Sequence, residues 1–588
     1  MTPEQRIREL LNDLYGAEKG ETVWIELIDI LDKYRYLERR IQNNTSLAEK
    51  IFSEKDAILI TYGDQVQEKN TKPLRTLAGF LQAEFRNVIS GIHILPFFPY
   101  SSDDGFSVID FRLVNPEYGD WEDIDQIGHG FRLMYDAVIN HISRESDWSK
   151  SFLLCQEPFF DYFTTVDPEV DLSMVFRPRA LPLLTPVETT CGEKWVWTTF
   201  SDDQFDLNYS NPKVLLEIID LLLFYVSRGA EIIRLDAIAY LWKEIGTSCM
   251  HLPQTHAVIK IWRAVLDMIA PWVVLITETN VPHEENISYY GQFLPETGRT
   301  DEAQMVYQFP LAPLILHTFL EGEVCKLRSW ADNLYSPGPF FNFIASHDGI
   351  GVMPAKGILD EVEIQALVDQ TLAHGGRVSY KSNQDGSKSV YELNITLYDW
   401  LNGPVDEQVD LEVSRFLASQ AIMLSLAGVP GIYFHSLFGA RNCYKCVEQT
   451  GRARSINREK FFLEELTTSL DDLNSRTARI FNGYLTLLKR RREHKAFHPE
   501  SQQKVLFIDN NIFSLYRGST KDKEVILCLI NVSEKSKKIS INPLEFDLPI
   551  NGQWRDILGD EVIQVRKNMN IYVSLEPYQT MWLLNYQA

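Results

Sequence analysis

The chain has 588 residues, is 45% hydrophobic and carries a formal charge of −24 from 57 basic and 81 acidic side chains. That acidity excludes a nucleic-acid partner, which needs a basic face, and the length exceeds one ordinary domain. The most apolar stretch, 214–226, is broken by Glu217 and Asp220 and is too short to span a bilayer. It reads as a buried helix, so no membrane association is expected. The start lacks the apolar run of a signal peptide, and seven cysteines fit thiols in a reducing cytoplasm. Cys443 and Cys446 form a CxxC, but no second pair or nearby histidine completes a zinc site.

In chain order, residues 1–55 read as a helical extension, with apolar positions at Ile7, Leu10, Leu11 and Leu14 and again over 25–37. Eight strand-like apolar runs follow, at 57–61, 92–95, 132–138, 231–235, 273–277, 304–309, 341–345 and 431–434. Helical patterns such as 73–84 and 255–268 lie between several of them. Alternation of this kind with eight strands predicts an α/β fold, a (β/α)8 TIM barrel, over 56–141 and 206–495. Two gaps are too long for plain barrel connections. The first, 142–205, reads as an inserted subdomain over the site. The second, 350–415, holds His374-Gly375-Gly376-Arg377 and a Ser-Asn-Gln-Asp-Gly-Ser run at 382–387, and its Gly, Ser and Asn density predicts a mobile loop. After a helix near 475–493, the tail 496–588 reads as an antiparallel β-domain, with strands at 505–507, 512–516, 525–530 and 581–584. No internal repeat or low-complexity tract is present.

Three of the strand-like runs end in carboxylates: Asp236 after Arg234-Leu235, Glu278 after Thr277, and Asp348 after Ser346-His347. Acids at the exits of separate strands converge at the C-terminal rim of a parallel barrel. Two such acids can cleave a glycosidic bond. Arg234 and Asp236 share a strand face, and the guanidinium predicts a lowered pKa for Asp236, as suits a nucleophile. Glu278 has no cationic neighbour in sequence, so burial would raise its pKa, as a general acid requires. Asp348 and His347 can reach sugar hydroxyls where the strand breaks at Gly349. A single acid at a strand end is more often a cap or an ion-pair partner; three in this order, on eight strands, favour catalysis.

These segments carry a family resemblance. Gly-Ile-His-Ile-Leu-Pro-Phe-Phe-Pro at 91–99, Asp-Ala-Val-Ile-Asn-His at 136–141, Phe-Arg-Pro-Arg at 176–179, Arg-Leu-Asp-Ala at 234–237, Lys-Glu-Ile-Gly-Thr-Ser-Cys at 243–249 and His-Asp-Gly-Ile-Gly at 347–351 resemble the α-amylase superfamily (glycoside hydrolase family 13), specifically its sucrose phosphorylase branch. The resemblance implies a retaining double displacement, with Asp236 as nucleophile, Glu278 as general acid/base and Asp348 as transition-state stabiliser. It places Asp104, His141, Arg234, His347 and Arg458 around a glucose unit, with Phe106, Phe200 and Tyr240 as aromatic walls. The incoming acceptor would be inorganic phosphate, giving α-glucose 1-phosphate, and Arg179 could hold that anion.

The chain departs from sucrose phosphorylases on the leaving-group side. Tyr391-Glu392 stands where they have Tyr-Gln, Ser389 beside Lys388 stands near an Asp that meets fructose, and Phe176 replaces a Tyr. Arg377, Lys381 and Lys388 offer cations instead, which suit a small carboxylate such as glycerate. The His-Gly-Gly-Arg-Val-Ser-Tyr-Lys texture at 374–381 looks like that of glucosylglycerate phosphorylases. Asn140 is kept, which helps bind calcium in many amylases, but the phosphorylase branch generally does without that ion. The expectation is therefore no metal and no cofactor, a monomer or homodimer, and a small sugar plus phosphate as partners. Alternatives are phosphorolysis of sucrose, sucrose 6-phosphate or glucosylglycerol, or a hydrolase or transglucosidase on small α-glucosides. A non-catalytic relative would need a membrane anchor or lost acids.

Overall fold

Eight short parallel strands close into a ring, each hydrogen-bonded to its neighbours in sequence: β1 (Ile58–Thr61), β2 (Gly91–Ile94), β3 (Arg132–Ala137), β4 (Ala230–Leu235), β5 (Val274–Thr277), β6 (Met305–Tyr307), β7 (Phe340–Asn342) and β8 (Val429–Tyr433). β8 returns to β1 with Ile58 opposite Gly431. The computed structural model describes residues 1–38, 51–179, 181–383, 387–405, 408–519, 524–549, 553–559, 561–564 and 570–586. All eight predicted strands are present, with ends moved by a few residues; the run at 304–309 keeps only Met305–Tyr307. Strands enclosed by helices are buried on both faces, so they read as largely apolar runs, interrupted in β2, β3 and β4 by His93, Asp136, Glu231 and Arg234. Gly431 is glycine for a local reason: a Cβ there would come 2.3 Å from the Phe341 ring that fills the barrel interior.

Two excursions roof the C-terminal rim. After β3, His141–Ser143 pairs antiparallel with Gln204–Asp206. Between them lie helix Asp147–Leu153 and the hairpin Leu184–Thr189 with Gly192–Trp197. After β7 the chain forms strand Ile350–Gly351, helix Glu361–Ala373 and an antiparallel pair, Arg377–Ser382 with Lys388–Asn394. The predicted mobile loop is thus largely regular structure. Its hairpin alternates polar and apolar side chains with only two strongly apolar positions, Val378 and Val390, ahead of Leu393, so its signal is weak in sequence. Residues 384–386 of its tip lie outside the described residues.

The extension forms two helices, Pro3–Tyr15 and Ala17–Tyr34, the first opened by a Thr2/Gln5 capping box. Its buried stripe includes Ile7, Leu11, Trp24 and Leu31 and packs on barrel helices Pro253–Ile269 and Pro212–Ser227. Arg6 pairs with Asp267 at 2.7 Å and Tyr15 donates to the Tyr209 carbonyl at 2.9 Å. Residues 39–50 of the predicted extension lie outside the described residues.

The C-terminal sheet runs Gln502–Asp509, Ile512–Ser519, Glu524–Asn531, Thr580–Tyr586, Gln553–Asp556 and Val562–Gln564 in spatial order. Its central strands alternate between two cores. Ile526, Cys528, Ile530 and Trp582 join the barrel's core, whereas Val525, Leu527, Leu529, Met581 and Leu583 pack with Trp554 in a core of their own. The cysteines correct an expectation. Cys249, Cys325 and Cys528 are free, but Cys155 pairs with Cys191 and Cys443 with Cys446 as disulfides. The first pair joins residues just past helix Asp147–Leu153 and at the turn of the hairpin beside it, where Thr190 donates to the Leu153 carbonyl at 2.9 Å. The second is brought together by the helix that begins at Tyr444. Among the described residues no helix is long and apolar enough to cross a membrane.

Candidate active site

The exits of β4, β5 and β7 deliver the three acids to one cavity. Asp236, Glu278 and Asp348 all line it, together with Phe106, His141, Arg179, Phe200, Tyr240, His347, Tyr391 and Glu392. Arg234 lies beneath it, 2% exposed. Its guanidinium donates to Asp136 and to Asp236 Oδ1 (2.6 Å), and its second amine stands 3.8 Å from Glu278 Oε2. One rigid, planar cation therefore sits between the two carboxylates and keeps them neighbours on the same cavity. Asp136, buried and held by His93 at 2.6 Å, in turn fixes Arg234. Ala237 takes a left-handed conformation, φ 48°, which alanine adopts only at a cost. There its N–H donates to Glu278 Oε2 at 3.2 Å.

Burial and charge divide the acids. Burial, reinforced by the nearby Asp236 and Asp348 charges, pushes Glu278 up to about 7 against the pull of Arg234. Near neutrality it can hold a proton. Burial also raises Asp236, against Arg234. This corrects the predicted lowering: dehydration outweighs the guanidinium. The pair's negative charge still belongs on Asp236, because its oxygen receives the direct Arg234 hydrogen bond. Burial pushes Asp348 up as well, but the Arg454 and Arg458 guanidinium groups hold it well below the usual carboxylate range. Burial pulls His347 down to about 3, so its ring is neutral.

Most of the remaining predicted residues stand around these acids; the three hairpin cations do not. Phe106 stacks on His347, ring centroids 4.8 Å apart and 2° from parallel, and Phe200 meets Tyr240 edge-on at 5.6 Å. His141 Nε2 is 3.0 Å from the Phe106 carbonyl. Asp103 and Asp104 are both left-handed. Arg458 pairs with Asp104, donates to the His347 carbonyl at 2.8 Å and approaches Asp348 to 3.6 Å. Among the described residues His347 Nδ1 and Arg458 Nη2 are buried with no hydrogen-bond partner, and a hydroxyl-rich ligand would satisfy such groups. Arg179 lies over the rings of Phe200 (6.0 Å) and Tyr391 (5.6 Å). No carboxylate pairs with it among the described residues. Lys388 stands farthest from the prediction. It is exposed, pairs with Ser382 near the hairpin tip and does not line the cavity. Three residues before Tyr391 along an extended strand, it stands about 10 Å beyond the wall. Arg377 is exposed as well, and Lys381 lines a different cavity.

Sequence reasoning missed Arg454. Its guanidinium contacts Asp348 Oδ1 at 2.6 Å and grips both oxygens of Glu392, through Nε at 3.0 Å and through Nη2. The only signal was a second arginine four residues before Arg458, which no spacing ties to Asp348. Lys243 reaches Asn140 from the loop after β4. Its ammonium reaches Asp206 Oδ2 (2.7 Å), Asn140 Oδ1 (2.9 Å) and the Tyr240 carbonyl (2.7 Å). The Asn140 oxygen therefore already faces a cation supplied by the chain.

Comparison with known proteins identifies the family. An α-amylase catalytic-domain family model matches residues 88–329. Glucosylglycerate phosphorylases from Spirochaeta thermophila and Allomeiothermus silvanus are 47% and 48% identical, each over 100% of both chains, and that of Escherichia coli is 42% identical over 99% of this chain and 100% of its own. The chain belongs to the glucosylglycerate phosphorylase family. A sucrose 6(F)-phosphate phosphorylase from Thermoanaerobacterium thermosaccharolyticum is more distant, 30% identical over 75% of this chain and 88% of its own. The crystal structure of a sucrose 6F-phosphate phosphorylase from Thermoanaerobacter thermosaccharolyticum superimposes with a TM-score of 0.71 at 24% identity, covering 89% of this chain and 98% of that one. At that identity it speaks for the fold.

Proposed function

We propose that this chain is a retaining glucosylglycerate phosphorylase. Asp236 attacks C1 of the glucosyl unit while Glu278 gives its proton to the departing glycerate oxygen, leaving a β-glucosyl ester on Asp236. Phosphate then attacks C1 from the face that glycerate left. The ester breaks, Asp236 is freed, and Glu278 can take up a proton from the incoming phosphate. The product is α-glucose 1-phosphate. Asp348 and Arg458 receive ring hydroxyls, and Phe106, Phe200 and Tyr240 wall the glucose. On the acceptor side, Arg179 and Arg454 are the arginines that line the cavity. Arg454 is already committed to Asp348 and Glu392, so of the two it is Arg179 that can meet phosphate or the glycerate carboxylate bidentately. The observation that carries the reading is the pair of acids on Arg234, one favoured as an anion and the other held up to about 7.

The test runs the reaction in reverse. The protein is given α-glucose 1-phosphate with glycerate, glycerol, fructose or fructose 6-phosphate, and released phosphate is measured. Glycerate is expected to give the fastest release and an α-linked product by NMR. A preference for fructose would overturn the acceptor, and a β-linked product would overturn the double displacement.

A further inference from the structure

A second cavity, of about 580 Å³, opens between the rim hairpin and the segment that carries the Phe-Arg-Pro-Arg motif. Lys381 lines it from the hairpin, Arg177 from the opposite wall, with Ser173, Asn383, Phe176 and aliphatic side chains between them. Lys381 is only 7% exposed, yet no carboxylate pairs with it or with Arg177 among the described residues. The Asn383 amide is taken up by Ser387 and Ser389, and Arg177 donates to the Leu181 carbonyl. The Lys381 ammonium lies 4.8 Å from the centre of the Phe176 ring. A cation–π contact of this kind offsets only part of the cost of dehydrating an ammonium. A lysine side chain so buried ordinarily has an anionic partner, and among the described residues none is supplied.

The neighbourhood sharpens the point. Lys356 adds a second positive charge that, with burial, pushes the Lys381 ammonium toward losing its proton. An incoming anion would reverse that. The wall between this cavity and the catalytic one is thin. Phe176 stacks on Tyr240, centroids 6.3 Å apart, and Tyr240 lines the catalytic cavity. The hairpin strand paired with Lys381's strand carries Tyr391 and Glu392, with Lys381 opposite Ser389 and Ser379 opposite Glu392. An occupant held by Lys381 would therefore brace the strand that forms the acceptor wall.

We propose that this cavity is a second oxyanion site, distinct from the catalytic chamber, in which Lys381 and Arg177 take inorganic phosphate or a small carboxylate such as glycerate. The site stands on its own charges and volume. Only the choice of anions rests on the phosphorylase reading, so the two can fail separately.

Crystals of the full chain grown without phosphate and soaked in tungstate are expected to show anomalous density between Lys381 and Arg177, in addition to any in the catalytic cavity. In solution, the rise in melting temperature caused by phosphate and by glycerate is measured for the wild type, Lys381→Met, Lys381→Arg and Arg177→Gln. The methionine and Arg177→Gln variants are expected to need about tenfold more of the bound anion for the same rise, as loss of one charged hydrogen bond implies, with Lys381→Arg near wild type. A response to phosphate alone, or to glycerate alone, identifies which anion the site takes. Tungstate confined to the catalytic cavity, or identical anion responses in wild type and Lys381→Met, overturns the site. Phosphate release from glucose 1-phosphate with glycerate, assayed in parallel on the wild type, reports separately on the phosphorylase reading.

Discussion

Glu278 is the residue on which the pH behaviour turns. Its carboxyl is raised from an ordinary 4.5 to about 7 by burial beside two negative charges. For cleavage of the glucoside it must start protonated, so kcat/KM is expected to fall as pH rises through about 7. The same shift acts on stability. Between its ordinary value and about 7 the folded chain holds a proton that the unfolded chain has released, so this group's contribution is full below that window and is lost as pH rises through it. Glu278→Gln is expected to slow cleavage by roughly 10²–10⁴, the range of a positioned acid, and to remove the alkaline limb. An unchanged limb in that variant would assign it to another group. Arg454 shows how little of the acceptor side a linear reading could reach. The arginine, its glutamate and its aspartate come from three distant stretches, and only folding makes them one cluster.

At the scale of elements, what was legible follows from burial. Strands enclosed on both faces are mostly apolar, so all eight barrel strands stood out, and the acids at their exits came with them. The rim hairpin Arg377–Asn394 did not. It is half solvated and rich in Ser, Lys and Asn, so it reads as loop until its partner strand is known. The direction of the Asp236 shift was also beyond the sequence, because the adjacent arginine is visible there and the depth of burial is not. Lys243 belongs to this scale, since it ties the loop after β4 to the strand pair after β3. Asp206 is fully buried and Lys243 is its ion-pair partner. Lys243→Met strands that carboxylate and is expected to cost about 3–5 kcal/mol, read as a lower denaturation midpoint. Adding Asp206→Asn removes the orphan charge, so the double variant is expected to be more stable than Lys243→Met alone. Strictly additive losses would mean that the two side chains do not depend on each other.

For the whole molecule, the question is whether barrel and C-terminal sheet unfold together. Two arginines with no carboxylate partner among the described residues join them at the end of the barrel away from the site. Arg491, 1% exposed, donates to the carbonyls of Leu424, Glu54, Asp56, Gly428 and Phe497. Arg517, fully buried on the second strand of the C-terminal sheet, donates to those of Ser425 and His498. Trp582 completes the junction, its indole N–H 3.1 Å from Ser425 Oγ. Helix ends and turns that would otherwise bury bare carbonyls are satisfied this way, and one face of the sheet shares the barrel's apolar core. A junction of this kind should make melting cooperative across both parts. Arg517→Met keeps the bulk but leaves two buried carbonyls unpaired, at roughly 1–3 kcal/mol each. Calorimetry is expected to show one main transition for the wild type and an earlier, separate transition of the C-terminal sheet in the variant. Phosphorolysis at room temperature should be retained, because the catalytic cavity lies at the opposite rim. A single transition at the wild-type temperature in Arg517→Met would show that the shared apolar core couples the two parts without the arginine.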